Sequence, residues 1–186
     1  MKRHKDAEWC YNEALAINRK LSRGAASVIE ARTLANQGVN YYNMKQYQDA
    51  NQCYTKALTV YTKLSHGVAS LDMARTMANQ GVNYNAMKEY DKADKSYTEA
   101  LALCRNHPEV ATRADRARTL KNQGINDNAM GKYVDADQCF TEALILYREI
   151  SQGSTSVDIA QTLVNQGVTY SAMGEMRMLL NVILKR

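Results

Sequence analysis

The sequence repeats itself with a fixed period of 43 residues. The tripeptide Asn-Gln-Gly begins at Asn36, Asn79, Asn122 and Asn165, and an Ala-Leu pair recurs on the same interval at residues 14, 57, 100 and 143. No insertion interrupts the four copies. A period of this length, kept without error, predicts an array of like units that stack on their neighbours rather than one core built from unlike elements.

Each copy contains two helical patterns. In the first, Ala31, Leu34, Gly38 and Tyr41 follow one another at i, i+3, i+7 and i+10, which is one stripe of a helix. The second has its own stripe, formed by Tyr47, Ala50, Tyr54, Ala57, Leu58 and Tyr61. Strand patterns are absent, and the chain's single proline agrees with long helices. These patterns predict an all-α chain of helical hairpins.

Start and stop residues recur at the ends of the predicted helices. Ser27, Ser70 and Ser156 stand where an N-cap is needed, and Gly24, Gly67 and Gly153 where a left-handed residue ends a helix. Gly131 and Gly174 occupy the turn within a hairpin, where Lys45 and Lys88 stand in earlier copies. Inside the hairpin, the small Gly38, Ala50 and Ala57 allow close helix packing, and the tyrosine rings fill the remaining volume.

The period divides residues 1–186 into one array. Residues 1–30 form a half repeat, residues 31–73, 74–116 and 117–159 form full repeats, and residues 160–174 form the first helix of a further repeat. Residues 175–186 depart from the pattern, with Leu179 where a small residue is expected. Two interpretations remain open for this segment: an amphipathic capping helix, or a segment that self-associates.

The run Leu34-x-x-x-Gly38-x-x-Tyr41, followed by Tyr47, Ala50, Tyr54 and Ala57, resembles the tetratricopeptide repeat. The period is longer than that family's usual ~34 residues and is similar to the long repeats of kinesin light chains and nephrocystin-type proteins. The resemblance implies a right-handed superhelical solenoid of antiparallel helix pairs. The sequence departs from the family at Gln37, Gln80, Gln123 and Gln166, where leucine is usual, and we expect these amides to hydrogen-bond between helices.

Catalytic and metal-binding chemistry finds no support in the sequence. The three histidines share no repeat position, and no Cys-x-x-Cys or His-x-x-x-His spacing is present. No pair of a nucleophile and a base can be nominated, so we expect no enzymatic activity, cofactor or metal. Cys10, Cys53 and Cys139 share one repeat position and are expected to be reduced thiols in or near the core, with Cys104 as a packing residue.

Composition limits the chemical class of the partner and the cellular compartment of the chain. A hydrophobic fraction of 45% excludes wholesale disorder, and no apolar run is long enough to span a membrane. Together with the reduced cysteines, this favours a cytoplasmic location. A net charge of +5 permits an acidic partner, and it leaves nucleic-acid binding by a basic groove as a minor alternative.

In a superhelix of such hairpins, the first helices line the concave side. The residues expected there form a row of cations, a row of amides, a row of small apolar side chains and a set further along each helix. They are Arg32, Arg75, Arg118 and Lys121; Asn36, Asn79, Asn122 and Asn165; Val39, Val82 and Ile125; and Tyr42, Asn85 and Asn128. The amide row matches the asparagines that, in the family the chain resembles, hold the backbone of a bound peptide.

These rows lead to two main hypotheses. In the first, the concave groove binds an extended peptide segment of another protein, with arginine favouring carboxylates on that segment. In the second, the chain is a scaffold that self-associates through the open ends of the solenoid. The asparagines could instead bond between repeats, and the arginines could simply be solvated. The sequence alone leaves these alternatives open.

Overall fold

The computed structural model describes residues 2–64, 70–106, 113–152, 154 and 156–184, and these residues form eight α-helices and no strand. The helices are α1 (Lys2–Leu21), α2 (Val28–Asn43), α3 (Tyr47–Leu64), α4 (Ser70–Ala86), α5 (Tyr90–Asn106), α6 (Arg113–Ala129), α7 (Tyr133–Ser151) and α8 (Val157–Leu184). The all-α prediction is therefore confirmed. We call α2, α4, α6 and α8 the A helices and α1, α3, α5 and α7 the B helices.

The chain forms two compact units, Met1–Val110 and Ala111–Arg186. In the first unit, α2 packs on α3 and α4 packs on α5, while α1 packs on α2 and α3 packs on α4. In the second unit, α6 packs on α7, and α7 packs on α8. Each unit is thus built from A–B hairpins stacked through a B helix on the next A helix, as the repeat predicts.

The start of α2 follows its sequence signals. Ser27 has extended backbone angles, and its side-chain oxygen accepts a hydrogen bond from the Glu30 backbone N–H at 3.1 Å. This cap satisfies one of the amides that a helix start leaves unpaired. Because α2 begins at Val28, the arithmetic boundary at residue 31 falls inside this helix.

The turns within the hairpins use one backbone conformation. Lys45, Lys88 and Gly131 all have φ between 60° and 74°, and Gly24 has the same left-handed conformation after α1. The expectation of a fourth such turn at Gly174 was wrong, because α8 continues through this residue to Leu184. In the other hairpins the turn is followed by a B helix that packs back, and no helix follows α8 among the described residues. Gly67 and Gly153 lie outside the described residues.

Each closed hairpin places one aromatic ring directly on a glycine. A Cβ added at Gly38 would lie 2.6 Å from Tyr54, one at Gly81 would lie 2.6 Å from Tyr97, and one at Gly124 would lie 2.8 Å from Phe140. Real Cβ atoms do not approach other atoms this closely. The glycines are therefore required by close packing of A against B helices, as the sequence predicted.

Buried glutamines join three of the A helices, α2, α4 and α8, to the B helix before each of them. In three repeats the amide nitrogen donates to side-chain oxygens: Gln37 to Asn12 (2.9 Å), Gln80 to Asn51 (3.0 Å) and Thr55 (3.2 Å), and Gln166 to Asp137 (2.7 Å) and Thr141 (3.0 Å). The expectation that these amides bond between helices is confirmed at these three positions. A buried amide would be costly without such partners.

The end of the chain differs from the predicted divisions. α8 is 28 residues long and includes residues 175–184, so this segment does not begin a separate helix. Met176 is exposed, and the side chains beyond it lie outside the described residues, so the capping interpretation stays a prediction. No helix in the described parts of the chain is both long enough and apolar enough to cross a membrane.

Candidate interaction surfaces

The predicted contact residues lie on two separate pairs of A helices. We call the first the α2/α4 surface, which consists of Arg32, Asn36, Val39 and Tyr42 on α2 and Arg75, Asn79, Val82 and Asn85 on α4. We call the second the α6/α8 surface, which consists of Arg118, Lys121, Asn122, Ile125 and Asn128 on α6 and Asn165 on α8. Each surface lies within one compact unit.

The amide row is at least partly accessible on both surfaces. Asn36 is exposed, and Asn79, Asn122 and Asn165 are half-buried. Among the described residues, none of these four carboxamides has a hydrogen-bond partner. In three of the four repeats, the hydrogen bonds between repeats are made by the glutamine that follows the asparagine in the sequence. Adjacent residues lie about 100° apart around a helix, so one amide faces the stack while its neighbour faces outward.

Small apolar side chains lie one turn beyond the amides. Val39 and Ile125 are 37% and 38% exposed, and Val82 is half-buried. Each of these side chains provides a shallow apolar contact beside an amide with unused bonding capacity. This combination can bind a polypeptide backbone and one of its apolar side chains at the same time.

Three of the four cations in the cation row pair with carboxylates within the chain. The Nε of Arg32 on α2 donates to the Asp72 carboxylate on α4, and this contact raises the pKa of Arg32. Lys121 on α6 binds Asp158 on α8 at 2.8 Å, and its side chain is only 12% exposed. Arg118 pairs with Asp115 one turn earlier at 3.2 Å. A carboxylate on a ligand would therefore compete with these aspartates or use the remaining guanidinium N–H groups.

The third set of predicted residues is partly engaged in the fold. The carboxamide of Asn128 exchanges hydrogen bonds with the Thr169 hydroxyl at 2.9 and 3.1 Å, which links α6 to α8. The ring of Tyr42 is half-buried and lies 5.7 Å from the ring of Tyr47, centroid to centroid. Asn85 is half-buried and also has an interaction partner. Asn128, Tyr42 and Asn85 therefore interact within the fold, unlike the four asparagines of the amide row.

Sequence reasoning overlooked a second set of structural amides. Asn40 donates to the His4 backbone oxygen at 3.2 Å, and the fully buried Asn83 donates to the Tyr47 backbone oxygen at 2.9 Å. The signal was available, because Asn40, Asn83 and Asn126 recur with the 43-residue period. Periodicity alone did not separate these buried asparagines from the accessible ones, since both sets repeat equally well.

The cysteines are all free, and their burial differs among the repeats. Cys53 and Cys104 are buried and Cys139 is half-buried, whereas Cys10 is exposed. The Sγ of Cys53 lies 3.9 Å from the side-chain oxygen of Gln37 on α2, the A helix of the same hairpin, and no A helix precedes α1 in the described residues. The expectation of a core position was therefore wrong for Cys10. No cluster of potential metal ligands is found in the described part of the chain.

One A helix presents an uncovered face. Ala160, Leu163 and Gly167 on α8 repeat Ala31, Leu34 and Gly38 of α2, and we call them the α8 open face. Leu163 is 45% exposed where Leu34 is 5% exposed. A Cβ added at Gly167 would meet no atom within 4 Å, unlike one at the three covered glycines. This face has the shape that receives a B helix elsewhere in the chain.

The stacked hairpins, the ring-on-glycine contacts and the accessible A-helix surfaces define a helical-repeat protein of the interaction type. The tetratricopeptide repeat family matches residues 1–63 and 30–106, which together are more than half of the chain. The chain belongs to this family. No curated protein sequence matches it.

Solved structures share the fold at low sequence identity. BtubC (BKLC) from P. vanneervenii has a TM-score of 0.74 and 17% identity, over 91% of this chain and 66% of its own length. Apo RapI has a TM-score of 0.75 and 18% identity, over 98% of this chain and 48% of its own length. The chain thus spans less than two thirds of both proteins.

A third solved structure was determined with a bound peptide. The second TPR domain of human RPAP3, in complex with the HSP70 peptide SGPTIEEVD, has a TM-score of 0.53 and 19% identity, over 74% of this chain and 92% of its own length. The likeness in fold and the family membership support protein–protein interaction as the general role of this chain.

Proposed function

We propose that the chain is a non-enzymatic interaction module that binds extended polypeptide segments on the α2/α4 surface and the α6/α8 surface. The observation that carries this proposal is the contrast within the Asn-Gln-Gly tripeptides. Gln37, Gln80 and Gln166 are buried and bonded, whereas the asparagine before each is accessible and has no partner among the described residues.

The chemistry of the amide row suits a ligand of variable sequence. A carboxamide offers both a donor and an acceptor, which matches one backbone peptide unit whatever side chain follows. Asn36 and Asn79 lie on adjacent A helices, so an extended segment that crosses α2 and α4 meets both. Val39 and Val82 then contact apolar side chains of the segment. A preformed surface of this kind loses little entropy on binding.

We propose that acidic residues of the ligand contribute selectivity more than affinity. Arg32 uses its Nε for Asp72, and its side chain is still 62% exposed, so its terminal nitrogens can receive a second carboxylate. The acidic peptide bound by the TPR domain of RPAP3 supports this type of ligand. Each such contact adds little to the binding affinity, because an arginine that is already paired must also be desolvated. The four free cysteines favour a reducing compartment such as the cytoplasm.

A peptide array with acidic nonapeptides, their scrambled forms and their Asn/Gln counterparts identifies a ligand. The affinity of the best peptide is then measured by fluorescence anisotropy for the wild-type chain and for the double variant Asn36→Ala/Asn79→Ala. We expect about tenfold or greater loss of affinity, since two hydrogen bonds of about 1 kcal/mol each disappear, with the melting temperature unchanged.

Gln80→Ala is the matched control, because it removes the neighbouring amide, which bonds within the fold. We expect it to lower the melting temperature by breaking the bonds to Asn51 and Thr55. The proposal fails if the asparagine variant loses stability as the glutamine variant does, or if it binds the peptide as tightly as wild type.

A second candidate function is self-association. The α8 open face supports it, because α8 exposes an apolar stripe and an open space at Gly167, and a B helix covers the equivalent face on α2, α4 and α6. A scaffold of this type would grow by adding copies while its A-helix surfaces stay available. Sedimentation at increasing concentration tests it, and a chain that stays monomeric throughout rejects it.

A further inference from the structure

We propose that copies of this chain dock head to tail, with α1 of one copy covering the α8 open face of another and Tyr11 lying on Gly167. The docking rests on the self-association proposed above and specifies the two helices that meet. It completes, between two chains, the A–B hairpin that each chain forms internally.

The α8 open face has the features of a ring acceptor. In the three closed hairpins, the ring of Tyr54, Tyr97 or Phe140 occupies the space where the glycine has no Cβ. At Gly167 the same space is empty to a distance of 4 Å. The flanking Ala160 is exposed, whereas Ala31 at the equivalent position is fully buried. α8 already packs on α7 through its other side, so the acceptor face is not needed for the fold of its own unit.

α1 has the matching features of a ring donor. Ala7, Tyr11 and Ala14 repeat the pattern Ala50, Tyr54 and Ala57 of α3 at identical spacing, and we call them the α1 donor face. The α3 residues are at most 1% exposed, whereas the three α1 residues are only half-buried. α1 packs on α2 through its other side, as α3 packs on α4. The donor face therefore remains available to a second chain.

A second copy is the occupant that the repeat itself specifies. The chain joins this donor pattern to this acceptor pattern three times, in α2–α3, α4–α5 and α6–α7. Since the α1 donor face and the α8 open face are the two halves of the same contact, no new complementarity is required. The contact is heterologous, so each added copy presents a new open face, and assembly proceeds to chains or closes into a ring.

The first test compares two glycine substitutions in α8 by sedimentation velocity over a concentration series. Gly167→Ala places a methyl group where the docked ring must lie, and we expect about tenfold or greater weakening of self-association. Gly174→Ala is the matched control, because it adds the same methyl group to the same helix, also with no atom within 4 Å, outside the acceptor position. We expect it to associate as wild type does. Circular dichroism checks that both variants keep their helical content.

The second test mixes two defective chains. Tyr11→Ala removes the donor ring, and Gly167→Ala blocks the acceptor. At concentrations where wild type only begins to self-associate, each variant alone is therefore expected to be monomeric. Their mixture keeps one intact contact, between Tyr11 of the Gly167→Ala chain and Gly167 of the Tyr11→Ala chain. It should therefore form a 1:1 heterodimer and nothing larger.

The possible outcomes separate this docking from the other proposals. A wild-type chain that stays monomeric overturns both docking and self-association and leaves peptide binding standing. Association that survives Gly167→Ala, or that Gly174→Ala weakens equally, overturns the docking and leaves self-association through another surface. A mixture that yields no heterodimer also overturns the docking.

Discussion

Substituting Gly81 by alanine tests the ring-on-glycine packing that organises every closed hairpin. The new Cβ would lie 2.6 Å from the Tyr97 ring, about 0.8 Å closer than the 3.4 Å at which ordinary contact begins. Tyr97 is 1% exposed, so the ring has little room to retreat. Overpacking of this kind costs about 1–3 kcal/mol, whereas alanine gains about 1 kcal/mol over glycine in a helix. We expect a net loss of up to about 2 kcal/mol.

The measurement is urea unfolding followed by far-ultraviolet circular dichroism. Gly174→Ala serves as the reference, because its methyl group meets no atom within 4 Å and the substitution should stabilise the helix by up to about 1 kcal/mol. The difference between the two variants removes the helix propensity and isolates the packing cost. Tyr97→Leu in the Gly81→Ala background should relieve part of that cost, as a coupling of about 0.5–3 kcal/mol in a double-mutant cycle.

A Gly81→Ala chain that is as stable as Gly174→Ala would show that no such packing strain exists. The added methyl group would then be accommodated without strain, and the close approach of α4 and α5 could not be what glycine is needed for. An absence of coupling with Tyr97→Leu would lead to the same conclusion.

Two further predictions concern buried and paired groups. The Tyr147 hydroxyl is buried without a hydrogen-bond partner among the described residues, so Tyr147→Phe should raise the free energy of unfolding at pH 7 by up to about 1 kcal/mol. Burial raises the pKa of Tyr147 from 10.0 to about 12. The stability that the folded chain owes to keeping this hydroxyl protonated is therefore complete below pH 10 and is lost as the pH rises to 12. Tyr147→Phe should lose less stability over this pH range. Asp72→Asn releases Arg32, and we expect tighter binding of an acidic peptide by anisotropy with a stability change below about 1 kcal/mol in thermal unfolding. Unchanged affinity would show that Arg32 does not contact the ligand.

The 43-residue period made the contacts within and between hairpins predictable. Gly38 and Tyr54 belong to one hairpin and repeat together, so their contact could be inferred from the facing stripes of its two helices. Gln37 stood out because a polar residue occupied a position next to the packing glycine, and burial then required a partner.

The features that escaped prediction depend on how neighbouring repeats meet. The pairing of Arg32 with Asp72 joins different repeat positions, and periodicity identifies equivalent residues without saying which unlike positions come together. The same holds for Asn83 and the Tyr47 backbone oxygen. The exposure of Cys10 and the continuation of α8 through Gly174 depend on which helix is adjacent, which a local pattern does not contain.

We propose that the asparagine of a tripeptide contacts the ligand while the glutamine beside it bonds within the fold, as Gln37, Gln80 and Gln166 do. The most direct measurement is a nuclear magnetic resonance titration of the isotope-labelled chain with the peptide selected on the array, following the side-chain amide signals. We expect the signals of Asn36 and Asn79 to shift in step with binding, while those of Gln37 and Gln80 stay in place. Shifts confined to the glutamines, or asparagine signals that do not move at saturation, would contradict it.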